Sequence, residues 1–375
     1  MKQQEGNVLL RPRCRDEGII IGDDQPGRLN AITDVEGVAV GHVTLHEGHG
    51  ALVAGRGPVR TGVTVVLAHG GNCFRSKVVC ACHVINGFGK ATGLSQVTEL
   101  GELETPIALT NTLSVGTVWD GLLDHVLDGN ADIGVTTGTV NPVVGECNDG
   151  YLNDIRGRHV TRDHVAEALA RAGTGAVAEG NVGAGTGMAA LGHKGGIGTS
   201  SRVLPPEQGG HILGGLVLAN FGRKKDLCIK GLPVGRLLRA RGQDRPEDGS
   251  IVIVLATDAP LSHRQLARVA KRAAVGLART GSYHGHGSGD YVVAFSTAQR
   301  LSHDTDELVR GVRCRDGSRT MDALFRAAAH VTEESIINAL FAATTMQGRD
   351  GNTRDELPIR LVVELMREHG VIGQN

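Results

Sequence analysis

Five short apolar runs, each closed off by turn-forming residues, set the frame of this chain. Gly62 to His69, Pro106 to Thr112, Ile212 to Ala219, Ser250 to Thr257 and Tyr291 to Ser296 are predicted as β-strands. Most are apolar at successive rather than alternate positions, so both faces of each strand need cover, by helices or by a second sheet. In the last third the apolar period changes. Ser262 to Gln265 reads as a capping box, followed by Leu266, Val269, Ala270, Ala273 and Leu277 at helical spacing, with Gly281 just past the end. Thr161 and Gly173 bracket a similar pattern over Arg162 to Ala172. Further helices are predicted at Met321 to His330, Glu333 to Ala343 and Pro358 to His369.

Composition narrows what these elements can build. The chain has 375 residues, 40% hydrophobic but only 3% aromatic, so its core is filled by Val, Leu, Ile and Ala rather than rings. With 55 glycines it turns tightly and often. A formal net charge of -1 removes the argument for nucleic acid or an anionic membrane surface as partner. No apolar run approaches the roughly 20 residues that span a bilayer, and Met1 to Gly6 lacks the apolar stretch of a secretion signal. A cytoplasmic location is expected. Seven Cys, an odd number spread through the chain, fit reduced thiols better than a disulfide framework. Cys80 and Cys82 beside His83 lack the second ligand pair of a zinc site, so core packing is expected there and no metal.

One break in composition stands out. Charges cluster without period from Arg239 to Asp248, as in an exposed connecting loop, and no second linker divides the chain, which reads as one domain over 1–375. The loop ends at Gly249-Ser250, immediately before the strand that starts at Ser250. Taken alone, a Gly-Ser step before an apolar run is a turn. If the backbone breaks there, Ser250 becomes an N-terminus that carries a nucleophilic hydroxyl and a base on one residue. A free α-amine, with a pKa of about 7.7 to 8.0, is substantially neutral near physiological pH.

Other constellations fail on spacing. Gly183-Ala184-Gly185-Thr186-Gly187 and Gly192-His193-Lys194-Gly195-Gly196 match neither a P-loop nor a dinucleotide fingerprint, so close backbone packing or a substrate-lining loop is the better reading. His284 and His286 lie near Ser288 and Asp290, but the nucleophile elbow G-x-S-x-G is absent, and histidines in a Gly-rich loop are expected to face solvent.

Ordered motifs then identify a relative. Asn30-Ala31-Ile32-Thr33-Asp34-Val35, His69-Gly70-Gly71-Asn72, Asn86-Gly87-Phe88-Gly89-Lys90, Gly180-Asn181-Val182-Gly183, Asn220-Phe221-Gly222 and Gly287-Ser288-Gly289-Asp290 occur in sequence. The chain resembles the DmpA-type self-processing aminopeptidases, a family that includes L-aminopeptidase/D-amidase-esterases and β-peptidyl aminopeptidases. The resemblance runs from about Arg11 to Glu368.

It implies an α/β (α+β) fold built as a four-layer αββα sandwich, similar to N-terminal nucleophile hydrolases but with different strand connectivity. It also implies scission between Gly249 and Ser250, leaving packed segments 1–249 and 250–375. Ser250 would be the nucleophile, forming an acyl-enzyme on small N-terminal residues of short peptides, amides or esters. Ser288 and Asp290 would orient it and move protons. Asn220 would donate to the oxyanion, and Glu146 would receive the substrate's ammonium. Some relatives carry an oxyanion-assisting Tyr where this chain has Asn148, which leaves the second donor and the substrate range open. No cofactor is implied, and the family suggests a homo-oligomer, a tetramer of cleaved protomers. Two other readings remain: an acyltransferase like the related-fold ornithine acetyltransferases, which process before Thr, and an uncleaved, non-catalytic binding protein.

Overall fold

The computed structural model describes residues 11–238, 249–304 and 311–373. Its first sheet holds β1 (Ala39–Glu47), β2 (Val59–Leu67), β5 (Ile107–Asn111) and β6 (Val143–Cys147), in that order, with β5 and β6 parallel. The second is ordered β4 (Glu102–Leu103), β3 (Ser76–Gly87), β12 (Gly289–Ser302), β11 (Ser250–Thr257), β10 (Ile212–Asn220), β9 (Gly196–Val203). In it only β11 and β12 run parallel. Small hairpins, β7 (Ala189–Ala190) with β8 (His193–Lys194) and β13 (Met346–Gln347) with β14 (Thr353–Arg354), lie outside both.

The helices are α1 (Leu94–Leu100), α2 (Val115–Asp128), α3 (Arg162–Ala170), α4 (Val234–Leu237), α5 (His263–Arg279), α6 (Arg319–Ala342) and α7 (Ile359–Glu368). Helices α2 and α3 cover the outer face of the first sheet, and α5 and α6 that of the second. The expected four-layer αββα order is therefore present.

Strand β11 shows why apolar residues run on without alternation. Val252, Val254 and Ala256 pack between the sheets with Val66, Ile107, Leu109 and Leu216. Ile251, Ile253 and Leu255 turn the other way, toward Leu266, Val269 and Ala273 of α5 and Val331 of α6. With each fully buried aliphatic side chain contributing roughly 1.5–3 kcal/mol, this strand anchors two cores at once.

Several expectations need adjustment. Strand β2 begins at Val59 and ends at Leu67, and β12 continues past Ser296 to Ser302 with alternating half-buried and exposed residues that no longer form an apolar run. The two helices expected at Met321 to His330 and Glu333 to Ala343 are one, running on through buried Val331 and Thr332, with Glu333 and Glu334 also turned into the protein. Glu334 is fully buried, paired with Arg202 at 2.5 Å and Arg15 at 2.7 Å, and accepts from Asn30 Nδ2 at 2.6 Å. The loop expected at Arg239 to Asp248 lies outside the described residues. Helix α5 carries the expected capping box, and Thr161 caps α3. Cys80 is buried in the inter-sheet core. The glycine-rich turn at Gly183–Gly185 packs by its backbone, accepting from Lys194 Nζ at Gly185 O (3.0 Å) and donating from Ala184 N to Thr64 Oγ1 (3.1 Å). Among the described residues no helix is long and apolar enough to cross a membrane.

Candidate active site

The ends of three neighbouring strands, β10, β11 and β12, meet at one end of the second sheet. Asn220, the last residue of β10, pairs across the ladder with Ser250, the first of β11, and Ile251 pairs with Asp290 at the start of β12. The register thus gathers Asn220, Ser250, Ser288 and Asp290, which are far apart in sequence.

Ser250 is buried, 8% exposed, and its Oγ accepts from the Gly289 backbone N–H at 3.1 Å. That bond occupies a lone pair and leaves the hydroxyl's own proton free to be given up. Before it, Gly249 lies against the end of β10, where any Cβ would fall 2.2 Å from the Asn220 carbonyl oxygen.

Asp290, 1% exposed, accepts from Ser288 Oγ on Oδ1 and stands 3.3 Å from His284 Nδ1 on Oδ2. Burial raises its pKa, and the Ser288 hydrogen bond and the nearby imidazole pull it back. The loop that brings Ser288 here is tied down by Asn86, whose Nδ2 donates to Gly285 O at 3.1 Å and to Ser288 O. Phe88 N also donates to Ser288 O, at 3.3 Å.

The Asn220 carboxamide has a fixed orientation. Its Oδ1 accepts from Ala189 N at 2.8 Å, and its Nδ2 donates one hydrogen to Asn148 O at 3.0 Å. An amide nitrogen carries two hydrogens, so a second donor remains. Asn148 itself is exposed, and its Oδ1 accepts from Gly150 N at 2.9 Å, so this side chain shapes its own turn while its carbonyl braces Asn220.

Glu146 comes from the other sheet, opposite Thr110 in the β5–β6 ladder. It is 2% exposed and accepts from Lys90 N at 2.9 Å and from Thr112 Oγ1. Gly89 links it to the nucleophile. A Cβ on Gly89 would lie 3.1 Å from Glu146 Oε1, and one on Gly289 would lie 2.7 Å from Gly89 Cα and 3.2 Å from Ser250 Oγ. Bare backbone therefore lines the path from the carboxylate to the hydroxyl.

All of the residues singled out from sequence are placed: Gly249, Ser250, Asn220, Ser288 and Asp290 as one cluster, Glu146 one backbone strip away, Asn148 by its carbonyl. Sequence reasoning missed Ala189, Lys90 N and Thr112, which act through backbone or across sheets. It also assigned His284 to solvent, whereas the ring meets Asp290.

The sequence profile of peptidase family S58 matches residues 30–354. The β-peptidyl aminopeptidase BapA of Sphingosinicella microcystinivorans is 42% identical over 362 residues, 92% of this chain and 90% of that protein. Among solved structures, the PH0078 protein from Pyrococcus horikoshii OT3 superimposes with a TM-score of 0.92 at 53% identity, covering 96% of this chain and 99% of that one. The L-aminopeptidase D-Ala-esterase/amidase from Ochrobactrum anthropi, described as a prototype for the serine aminopeptidases and a new variant of the Ntn hydrolase fold, does so with a TM-score of 0.88 at 37% identity. It covers 97% of this chain and 100% of its own.

Proposed function

The chain belongs to peptidase family S58, and from that premise we propose that it is a self-processing serine aminopeptidase that removes small N-terminal residues from short peptides, amides or esters. The observation that carries this reading is the meeting of Gly249-Ser250, the Gly289 N–H, Asn220 and Asp290 at one strand end.

In maturation, Ser250 Oγ attacks the Gly249 carbonyl, the acyl group passes from nitrogen to oxygen, and water opens the resulting ester. The products are segments of 249 and 126 residues (375 minus 249). They stay together because β11 of the second segment pairs with β10 of the first, and β12 with β3. The new α-amine then takes the proton of the Ser250 hydroxyl during attack on substrate, its pKa of about 7.7 to 8.0 suiting it to neutral pH.

The substrate's free ammonium sits on Glu146, which fixes the distance from N-terminus to scissile carbonyl and restricts cutting to the first residue. The spare Asn220 Nδ2 hydrogen stabilises the oxyanion. Ser288 and Asp290 hold the proton path behind Ser250. The acyl-enzyme is opened by water to release the N-terminal residue.

Edman sequencing of the purified protein together with turnover of aminoacyl anilides tests the proposal. The expected result is a second N-terminus at Ser250 and, for Ser250→Ala, a full-length inactive chain. Hydrolysis by that variant, or an uncut active wild type, overturns it.

A further inference from the structure

Asp290 is sealed from water, and Glu146, Tyr291 and Cys147 stand around it without a cation among them. Burial raises the Tyr291 hydroxyl and the Cys147 thiol most, and Glu146 and Asp290 add to both shifts, as two nearby carboxylates do. Among the described residues the group paired with the Asp290 carboxylate is the His284 imidazole, on the loop between α5 and β12. Beside that loop, Arg223 is paired with Asp226 at 2.8 Å and places its guanidinium 5.1 Å from the centre of the Tyr283 ring.

The loop adopts an unusual shape to make this pairing. His284 has a φ of 54°, a left-handed conformation that residues other than glycine rarely take, although Gly285 follows it directly. Its ring keeps 24% of its side-chain surface in water, against 1% for that of Asp290. The imidazole thus reaches solvent protons that the carboxylate cannot.

We propose that His284 is a positioning residue: it holds Asp290 ionised and aimed at Ser288, and thereby extends the activity at Ser250 toward lower pH. The proposal rests on the serine-aminopeptidase reading. The imidazole Nδ1–H donates to Asp290 Oδ2, and the Ser288 hydroxyl to Oδ1, so both oxygens are engaged. When the ring is protonated its charge favours the carboxylate. When it is neutral, only the hydrogen bond remains. In the cleaved enzyme the α-amine of Ser250 is the other cation facing this cluster, and Glu146 the opposing anion.

His284→Asn separates the two contributions, because Asn tolerates the left-handed backbone and keeps an N–H donor but has no charge. Its turnover is expected to stay within about threefold of wild type near pH 9, while below the pKa of the Ser250 α-amine kcat falls about tenfold further than in wild type as Asp290 takes up a proton more readily, with KM nearly unchanged. His284→Ala, lacking the donor as well, is expected to lose about tenfold at every pH. An acid limb of His284→Asn that superimposes on wild type, in an enzyme cut at Ser250, overturns the proposal and leaves the aminopeptidase reading intact.

Discussion

Gly249 lies flat on the carbonyl of Asn220: a Cβ there would come 2.2 Å from that oxygen and 2.6 Å from Phe221 Cα. The end of β10 has no freedom to retreat. Asn220 is in register with Ser250, and its side chain is clamped between Ala189 N and Asn148 O. In Gly249→Ala the scissile carbonyl must move instead. Displacement of a reacting atom by about 1 Å costs on the order of a hundredfold, so scission should slow by that order. A time course of chain cleavage on denaturing gels reads this directly, and cutting at the wild-type rate would show that the contact imposes no constraint.

Glu146 offers a cleaner separation of binding from chemistry. Glu146→Gln keeps the size of the side chain and one acceptor oxygen, for Lys90 N, while the Thr112 hydroxyl, which donates to Oε2, can turn to accept from the new amide; the charge is removed. A hydrogen bond to a charged group is worth about 1.5–3 kcal/mol, which corresponds to a rise in KM of roughly ten- to hundredfold for substrates with a free amine. Chain scission presents no ammonium at that position, so the variant should mature normally. Steady-state kinetics on a pair of substrates, free and N-acetylated, checks it: the preference between them should collapse. An unchanged preference would place the ammonium elsewhere.

How much of this was legible in the sequence depends on how local each signal is. Strand β11 and the capped start of α5 were readable because their residues point to one answer at every level: apolar on both faces in one case, Ser262 with Gln265 in the other. Strand β9 was not, since Gly196 to Val203 is rich in Gly and Ser and becomes buried only because α6 lies across it. Helix α6 looked interrupted between His330 and Glu333, and only the arrival of Arg202 and Arg15 at Glu334 and of Arg279 at Glu333, from distant segments, explains why two acids sit inside. The site follows the same rule. Ser288 and Asp290 were named from their motif, but the approach of His284 to Asp290 needs a left-handed turn that no spacing announces.

Lys194 carries a pH dependence that the proposed reaction does not use. It is fully buried, no carboxylate pairs with it among the described residues, and Nζ donates to Gly185 O at 3.0 Å and Gly195 O at 2.8 Å. Desolvation pushes its pKa down from 10.5 to about 7. Between those values the unfolded chain binds a proton that the folded protein lacks, so stability falls as pH drops from 10.5 toward about 7 and is level below that. Lys194→Met abolishes this difference. It also leaves two carbonyls without a donor and should destabilise at every pH, which is why the slope rather than the absolute value is the informative quantity. Denaturant unfolding across this window, in a Ser250→Ala background so that the chain stays whole, should show the lysine protein gaining about 1.4 kcal/mol per pH unit over the methionine variant. Parallel curves would mean that Lys194 keeps its proton inside the fold, and that the hairpin bracing Asn220 through Ala189 holds a buried cation.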